Sequence, residues 1–432
     1  MSYQQTIEFL YGLQKFGIKF GLTNISGLLK SFNNPHENLQ SIHIAGTNGK
    51  GSTGAFLSSV LIKSGFKVGF YTSPHLVNFT ERIRINEQEI PEERVVELTG
   101  LIRKKLGDKL NNDNIITFFE FVTALAILYF ADEKVDFAIM EVGMGGRLDA
   151  TNVIQPIVSI ITNISREHEE FLGKTIGEIA REKAGIIKKK VVLVTAASQP
   201  AVLTLFKEIC LANMSEFYRV GKEFRSKIIS GQSFNYLGQK VNLLNLKINL
   251  LGKHQITNAT LALGAIEILK DKGLRIDEQS IYQGLAEAYW PGRLEVVKNN
   301  PLILLDGAHN PMATETLKKA LRNDFTYKRL FLILGIMEDK NFKTIISKLA
   351  PLADEIIFTK PKYSRAASPR LLSRHAGRFN KISRIIEGID EAIKYSLSSA
   401  QREDLICITG SLFTIGEAKE FFLAEGGNNN EK

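Results

Sequence analysis

The sequence predicts an α/β protein of two domains: a mostly parallel sheet domain carrying a small antiparallel insertion, and a second, smaller Rossmann-like α/β domain. Three observations predict it. Short apolar runs alternate with helical patterns from residue 41 to about 193, the sequence form of a parallel sheet covered by helices on both faces. Between about 223 and 251 the pattern becomes short alternating runs around Gly231 and Gly238, which suits a small antiparallel sheet. After Trp290-Pro291-Gly292-Arg293, where proline and glycine together break regular structure, a second strand–helix series begins.

Taken in order, residues 41–45 read as the first strand, and the segment after Lys50 reads as a helix with Leu57, Val60, Leu61 and Ser64 on one face. Strands follow at 67–71, 135–142, 156–162 and 191–195, with a helix marked by Phe118, Phe121, Val122, Leu125 and Tyr129. A helix over about 255–270 closes the first domain, assigned to residues 1–290. The second domain, 291–425, has strands expected at 302–305, 330–334, 355–358 and 405–409. Residues 426–432 form a polar tail expected to fray.

Composition narrows the function classes. At 432 residues, 44% hydrophobic and 23% charged, the chain is an ordinary globular protein too long for one core. Cys210 and Cys407 stand far apart and form no CxxC or Cys/His cluster, so neither a disulfide framework nor a cysteine metal site is expected. The amino terminus lacks a basic region followed by an apolar core. The most apolar stretch, 115–130, contains Thr117, Glu120 and Thr123 and falls short of the roughly 20 residues that span a bilayer, so a soluble cytoplasmic protein is expected. The net charge of +9, from 55 basic and 46 acidic residues, is mild and spread out, apart from runs such as Lys188-Lys189-Lys190. With no basic stripe and no aromatic–basic interleaving, a nucleic-acid partner is not expected.

The segment Gly46-Thr47-Asn48-Gly49-Lys50-Gly51-Ser52 follows a strand and opens a helix. Glycines there let backbone N–H groups close on phosphate oxygens, the helix N-terminus favours negative charge, and the lysine neutralises it. The match to the common P-loop pattern is not strict. Ile44 stands where a glycine is usual, and Gly51 stands where the magnesium-binding hydroxyl normally follows the lysine. The metal must therefore take another hydroxyl, or Ser52 must be displaced into the role.

A chain of this form, with this loop so near the amino terminus, resembles the Mur ligase superfamily, and within it the bacterial folylpolyglutamate synthase and dihydrofolate synthase enzymes. The same likeness is carried by residues 71–76, 118–120, 141–152 and 182–186, by Pro291-Gly292-Arg293, and by residues 306–311. These occur in family order and reach past residue 410. The resemblance implies an ATP- and magnesium-dependent ligase that adds glutamate to a folate-type acid through an acyl phosphate. It implies a monomer acting on folate or dihydropteroate and L-glutamate.

Glu141 ends an apolar strand, where open α/β sheets place ligands, and a carboxylate near a phosphate loop suits magnesium. The resemblance pairs Ser73 with Glu141 on a first magnesium and gives His168 to a second. It implies that Lys183, otherwise read as a solvated helical lysine, can be carbamylated to N6-carboxylysine as a ligand for that second metal. Lys50, His168, Lys183 and His309 become the candidate catalytic set. Asn258, Arg293 and Asp306 join the loop in binding ATP, with the active site expected in the cleft between the domains. Thr117, Phe119 and Asp149 match positions that contact the dihydropteroate ring in bifunctional relatives, although Phe119 among its apolar neighbours also reads as core. Ser411 is the glutamate-pocket candidate.

Three alternatives compete. A peptidoglycan-precursor ligase carries a nucleotide-sugar domain of about a hundred residues or more before the loop, where this chain has 45. A P-loop ATPase acting on nucleic acid would need the concentrated basic surface that is missing. A non-catalytic nucleotide-binding module does not account for Glu141, His168, Lys183 and His309 together.

Overall fold

The computed structural model describes residues 1–17, 19–107, 116–379 and 381–428. Residue 115 of the apolar stretch and residues 429–432 of the expected tail lie outside them. The chain divides into two compact units. One comprises Met1–His75, Phe79–Asn249 and Gln255–Tyr289; the other comprises Leu76–Asn78, Leu250–His254 and Trp290–Lys432.

The first unit is built on β1 (Ser41–Ala45), β2 (Val68–Tyr71), β3 (Ile83–Ile85), β4 (Gln88–Glu89), β5 (Phe137–Glu141), β6 (Pro156–Ile161), β7 (Val192–Thr195) and β8 (Phe217–Arg219). They form one sheet in the order β4-β3-β2-β5-β1-β6-β7-β8. From β2 to β8 every neighbour is parallel, and β3 and β4 add an antiparallel edge. The central strands are buried on both faces, which is why they read as near-continuous apolar runs. The edge hairpin turns at Asn86 and Glu87, both with positive φ, a geometry that matches the twist of paired strands. Without a glycine at the turn, this hairpin gave no sequence signal.

The helix after the loop, Lys50–Lys63, is buried on nearly all sides from Ser52 to Leu61, not on one face, and Ser64 lies just beyond it as its cap. The sheet covers one side, and the helix Glu278–Glu287 closes on the other. A Cβ on Gly284 would lie 2.6 Å from the Val60 Cα, so backbone meets backbone there. The helices Tyr3–Gly12 and Thr23–Lys30, unassigned from sequence, set Leu10, Ile25, Leu28 and Leu29 in one core with Phe121 and Phe130 of the helix Phe118–Asp132. Each fully buried phenylalanine contributes about 1.5–3 kcal/mol. The insertion is a separate antiparallel sheet of β9 (Arg225–Ser230), β10 (Ser233–Leu237) and β11 (Asn242–Lys247), in the order β11-β10-β9.

The second unit holds β12 (Glu295–Asn299), β13 (Leu302–Asp306), β14 (Leu330–Leu334), β15 (Glu355–Phe358), β16 (Ile382–Ile385) and β17 (Leu405–Thr409), in the order β12-β13-β17-β14-β15-β16. The four strands expected from sequence are its buried centre. The two unexpected ones are its edges: β12, antiparallel and half-exposed, and β16, fully exposed. The last helix, Leu412–Asn428, runs past Gly426 into the segment expected to be tail. A glycine pair weakens a helix without removing the backbone N–H groups that continue it. Among the described residues no helix is long and apolar enough to cross a membrane.

Candidate active site

The glycine-rich loop springs from the end of β1 and is held by the segment that leaves its neighbour β6. Gly46 adopts φ 140°, and a Cβ there would run into the Thr162 side chain. Gly49 adopts φ 87°, and a Cβ would lie 2.5 Å from Asn258 Oδ1. Both positions therefore require glycine. Thr47 N donates to the Asn163 carbonyl (2.9 Å) and Asn48 N to Asn163 Oδ1 (3.0 Å). Thr162 Oγ1 and Asn163 Nδ2 both donate to the Asn48 carbonyl, at 2.7 and 3.0 Å. The Thr47 hydroxyl donates to the Ser165 carbonyl and accepts from Ser165 N. The loop is thus rigid before any anion arrives, and it opens into the N-terminus of Lys50–Lys63, with Gly51 and the buried Ser52 in the first turn.

Charge is concentrated directly behind it. Lys50 Nζ donates to the Gly46 carbonyl (3.1 Å) and lies 3.9 Å from Glu141 Oε1. Lys183 Nζ donates to the same carbonyl (3.1 Å) and to Glu167 Oε1 (2.6 Å). Two ammonium groups therefore share one loop carbonyl, each with a carboxylate beside it. Lys183 is only 2% exposed, a correction to the solvated lysine expected from its helix. Burial weakens its hold on its proton, with Glu167 opposing. Burial alone would also lift the Glu167 carboxyl, but Lys183 and Lys50 outweigh it and hold that group at about 2. The two tendencies pull against each other. The 2.6 Å contact decides in favour of an ionised pair, for which the low Glu167 value is the apt description.

Strand order explains the gathering. In β2-β5-β1-β6, Tyr71 pairs with Met140, Ile44 with Glu141, and Ala45 with Ile161. Ser73, Glu141, Gly46 and the 162–168 segment therefore leave one sheet edge in a row, the carboxyl edge where open α/β sheets bind ligands. His168 adopts φ 48° at the start of the short helix Glu169–Leu172, its carbonyl accepting from Phe171 N and Leu172 N at 2.9 Å. Asn258, on the helix Lys253–Asp271, donates from Nδ2 to Gln255 Oε1 (2.9 Å), and its Oδ1 stands over Gly49.

Phe119 and Asp149 also meet neighbouring residues of one loop, Gly143 and Met144, while Thr117 heads the helix that bears Phe119. The Phe119 ring lies on Gly143, where a Cβ would be 2.6 Å from it, and 6.0 Å from the Tyr71 ring. Asp149 Oδ2 accepts from Met144 N (2.9 Å), one residue on, while Oδ1 accepts from Thr151 N and Oγ1 at 3.0 and 2.6 Å. Burial pushes the Asp149 carboxyl up, against those hydrogen bonds. Thr117 is the N-cap of Phe118–Asp132: its hydroxyl accepts from Glu120 N, and Glu120 Oε2 accepts from both Thr117 N and Oγ1. Each of the three thus carries a structural duty.

In the second unit, Asp306 ends β13 and pairs in register with Thr409 of β17, so the turns bearing His309 and Ser411 leave one sheet edge. Asp306 accepts from Leu294 N and Ala308 N, both at 3.0 Å. Burial raises its carboxyl, opposed by Arg293. Arg293 donates to the Gly292 carbonyl (3.0 Å), and His309 Nδ1 is 2.8 Å from the Gly307 carbonyl. Ser411 Oγ accepts from Thr414 N (3.0 Å).

Glu167 was missed from sequence as a site residue. A signal existed: Ile179, Ala180, Lys183 and Ala184 form one buried stripe of the helix Ile176–Ala184, and a lysine on such a stripe requires a nearby carboxylate.

A rigid phosphate-type loop, a carboxylate-bearing sheet edge and a second α/β unit define a Mur-type ligase. The comparisons agree: residues 44–266 match the Mur ligase middle domain, and residues 292–412 match the Mur ligase glutamate ligase domain. The chain is 35% identical to the dihydrofolate synthase/folylpolyglutamate synthase of Bacillus subtilis, over 97% of this chain and 99% of that one. The crystal structure of folylpolyglutamate synthase from Thermotoga maritima superposes with a TM-score of 0.85 at 38% identity, covering 98% of this chain and 96% of that one. Escherichia coli FolC in complex with DHPP and ADP superposes with a TM-score of 0.89 at 29% identity, covering 97% and 98%. This chain belongs to the dihydrofolate synthase/folylpolyglutamate synthase family of the Mur ligases.

Proposed function

We propose that the chain joins L-glutamate to tetrahydrofolate, and also to 7,8-dihydropteroate, with ATP consumed through an acyl phosphate. The observation that carries this is the convergence of Lys50 and Lys183 on the Gly46 carbonyl, beside Glu141 and Glu167. A phosphate chain and a carboxylate, both anionic, must be brought together, and paired charges at a rigid loop are suited to that.

A carboxylate oxygen of the folate attacks the γ-phosphorus of ATP. The bond to the bridging oxygen breaks, and ADP departs. The glutamate amine then attacks the acyl carbon, loses a proton and expels phosphate. The loop 46–52 holds the phosphates by backbone N–H groups, and Lys50 neutralises the transferring group. Asn258, Arg293 and Asp306 bind the remainder of the nucleotide, Arg293 toward phosphate and Asp306 toward ribose. His309 serves near the reacting end, and Ser411 receives glutamate. Thr117, Phe119 and Asp149 receive the pterin; the meeting of Phe119 and Asp149 with Gly143 and Met144 supports activity on dihydropteroate.

Magnesium fits the donor set. Glu141 is a buried carboxylate beside the loop lysine, Ser73 leaves the adjacent strand, and magnesium completes its shell with phosphate oxygens and water. Ser73 and Glu141 would hold one ion and His168 a second; bound there, the metal screens phosphate charge. Carboxylation of Lys183 would add an oxygen donor, and it requires Glu167 to release the amine. The protein acts as a cytoplasmic monomer on small molecules, without nucleic acid or membrane.

The test is ADP release with ATP, magnesium and glutamate, offering dihydropteroate or tetrahydrofolate. Turnover with both is expected. Turnover with tetrahydrofolate alone removes the dihydropteroate role of Thr117, Phe119 and Asp149. Turnover with neither overturns the folate reading.

A further inference from the structure

A histidine stands at the middle of β1, in the most enclosed layer of the first unit. His43 pairs in register with Met140 on one side and Ser159 on the other, and it is fully buried. No step proposed above uses it. A polar ring enclosed in this way costs stability unless it has a partner. The partner lies 108 positions away in sequence: His43 Nε2 is 2.8 Å from Thr151 Oγ1.

The contact has one sense. Thr151 Oγ1 donates to Asp149 Oδ1 at 2.6 Å, which commits its single proton. The Asp149 carboxylate also accepts from Thr151 N and Met144 N, donors that favour its ionised form. The Thr151 oxygen is left to accept from His43, so Nε2 carries the ring proton. Burial, with Lys188 nearby, holds the His43 ring at about 3, so it is neutral and has no second proton. Nδ1 is then a bare acceptor, and among the described residues it has no hydrogen-bond partner. A buried acceptor left alone is better tolerated than a buried N–H.

The turn that carries Thr151 is held by other bonds. Asn152 Nδ2 donates to the carbonyls of Arg147 and Gly185, at 2.9 and 3.1 Å, and Lys188 Nζ donates to the Asn152 carbonyl at 2.9 Å. These fix the backbone without His43. What His43 adds is the direction of the Thr151 hydroxyl, and a donor behind a hydroxyl strengthens the bond that the hydroxyl makes in turn.

We infer that His43 is a positioning residue for the pterin: through the Thr151 hydroxyl it fixes the Asp149 carboxylate in the orientation that receives the ring. This rests on the pterin role proposed above for Asp149.

The test measures kcat and KM for dihydropteroate and KM for ATP from ADP release, with melting temperatures alongside. His43→Leu is expected to raise the KM for dihydropteroate about five- to tenfold, the worth of one such hydrogen bond, with the loss falling on KM rather than on kcat. KM for ATP should hold. His43→Gln, which returns an N–H donor near the place of Nε2, should restore the KM. Thr151→Val, which leaves the histidine in place, should reproduce the loss. Adding His43→Leu to Thr151→Val should cost nothing further, because His43 acts through the hydroxyl. An unchanged KM for dihydropteroate in either single variant, beside an Asp149→Asn variant that loses affinity, overturns the positioning role alone. Additive losses that raise both KM values and lower the melting temperature overturn it in favour of a packing role. Asp149→Asn with an unchanged KM for dihydropteroate, or a wild type that does not turn dihydropteroate over, overturns the pterin role of Asp149 and the positioning with it.

Discussion

Lys50 is shared at rest between the Gly46 carbonyl and the Glu141 carboxylate, a 3.1 Å hydrogen bond and a 3.9 Å ion pair. In the function proposed above, the phosphate would take the ammonium, and Glu141 would be left to hold a magnesium ion. Lys50→Met should therefore lower the rate of ADP release by about 100-fold or more, the size expected for losing one group that meets developing charge. The fold should survive, because the loop is latched by Thr162, Asn163 and Ser165 rather than by the lysine. Steady-state kinetics beside urea unfolding check both halves; a variant retaining a tenth of the activity would remove Lys50 from the chemistry. Lys50 was legible in sequence because its motif is contiguous. Glu167 was not, because its meaning depends on Lys183, which reaches it only after the helix Ile176–Ala184 packs its apolar stripe inward.

The helix Phe118–Asp132 shows how one element joins folding to function. Its N-terminus is closed by the reciprocal Thr117–Glu120 box, and the residues from Glu120 to Phe130 are buried. Thr117→Ala should cost about 1 kcal/mol of stability, the usual worth of such a cap, while Thr117→Ser should retain it. If the hydroxyl also meets dihydropteroate, the alanine variant will raise the KM for that substrate as well. A fall in stability with the KM unchanged would confine Thr117 to capping. Denaturant titration and kinetics on the same two variants separate these outcomes. The helix was evident from its apolar spacing, but its amphipathic face was not: it is enclosed by the sheet and by the two amino-terminal helices, so periodicity marks the element without marking a surface.

Both units bury histidines in the neutral form. Burial, with Lys188 nearby, holds His43 at about 3; burial with Arg82 does the same for His75; burial with Arg293 holds His254 at about 4. In the unfolded chain each titrates near 6.5. Above about 6.5 all are neutral in both states and stability is full; as pH falls below it the unfolded chain binds more protons and stability declines, by up to about 1.4 kcal/mol per pH unit for each group. Urea unfolding at pH 7.5 and 5 should show this loss, and His43→Gln should make it shallower by about one proton; a flat profile would reject the buried neutral state. The sequence by itself determined the two α/β series, the antiparallel insertion, the phosphate loop and the family motifs, because each is written in contiguous periodicity or in a short contiguous motif. The tertiary structure alone decided the edge strands β4, β8, β12 and β16, which lie partly or wholly open to solvent and carry weak apolar signal, and the three-residue β3 beside β4. It alone decided the sharing of the Gly46 carbonyl by Lys50 and Lys183, and the meeting of Phe20 with Phe171. Lys183 reaches the Gly46 carbonyl across 137 positions of sequence, and Phe20 and Phe171 are likewise far apart in the chain; only strand order and helix packing bring such residues together.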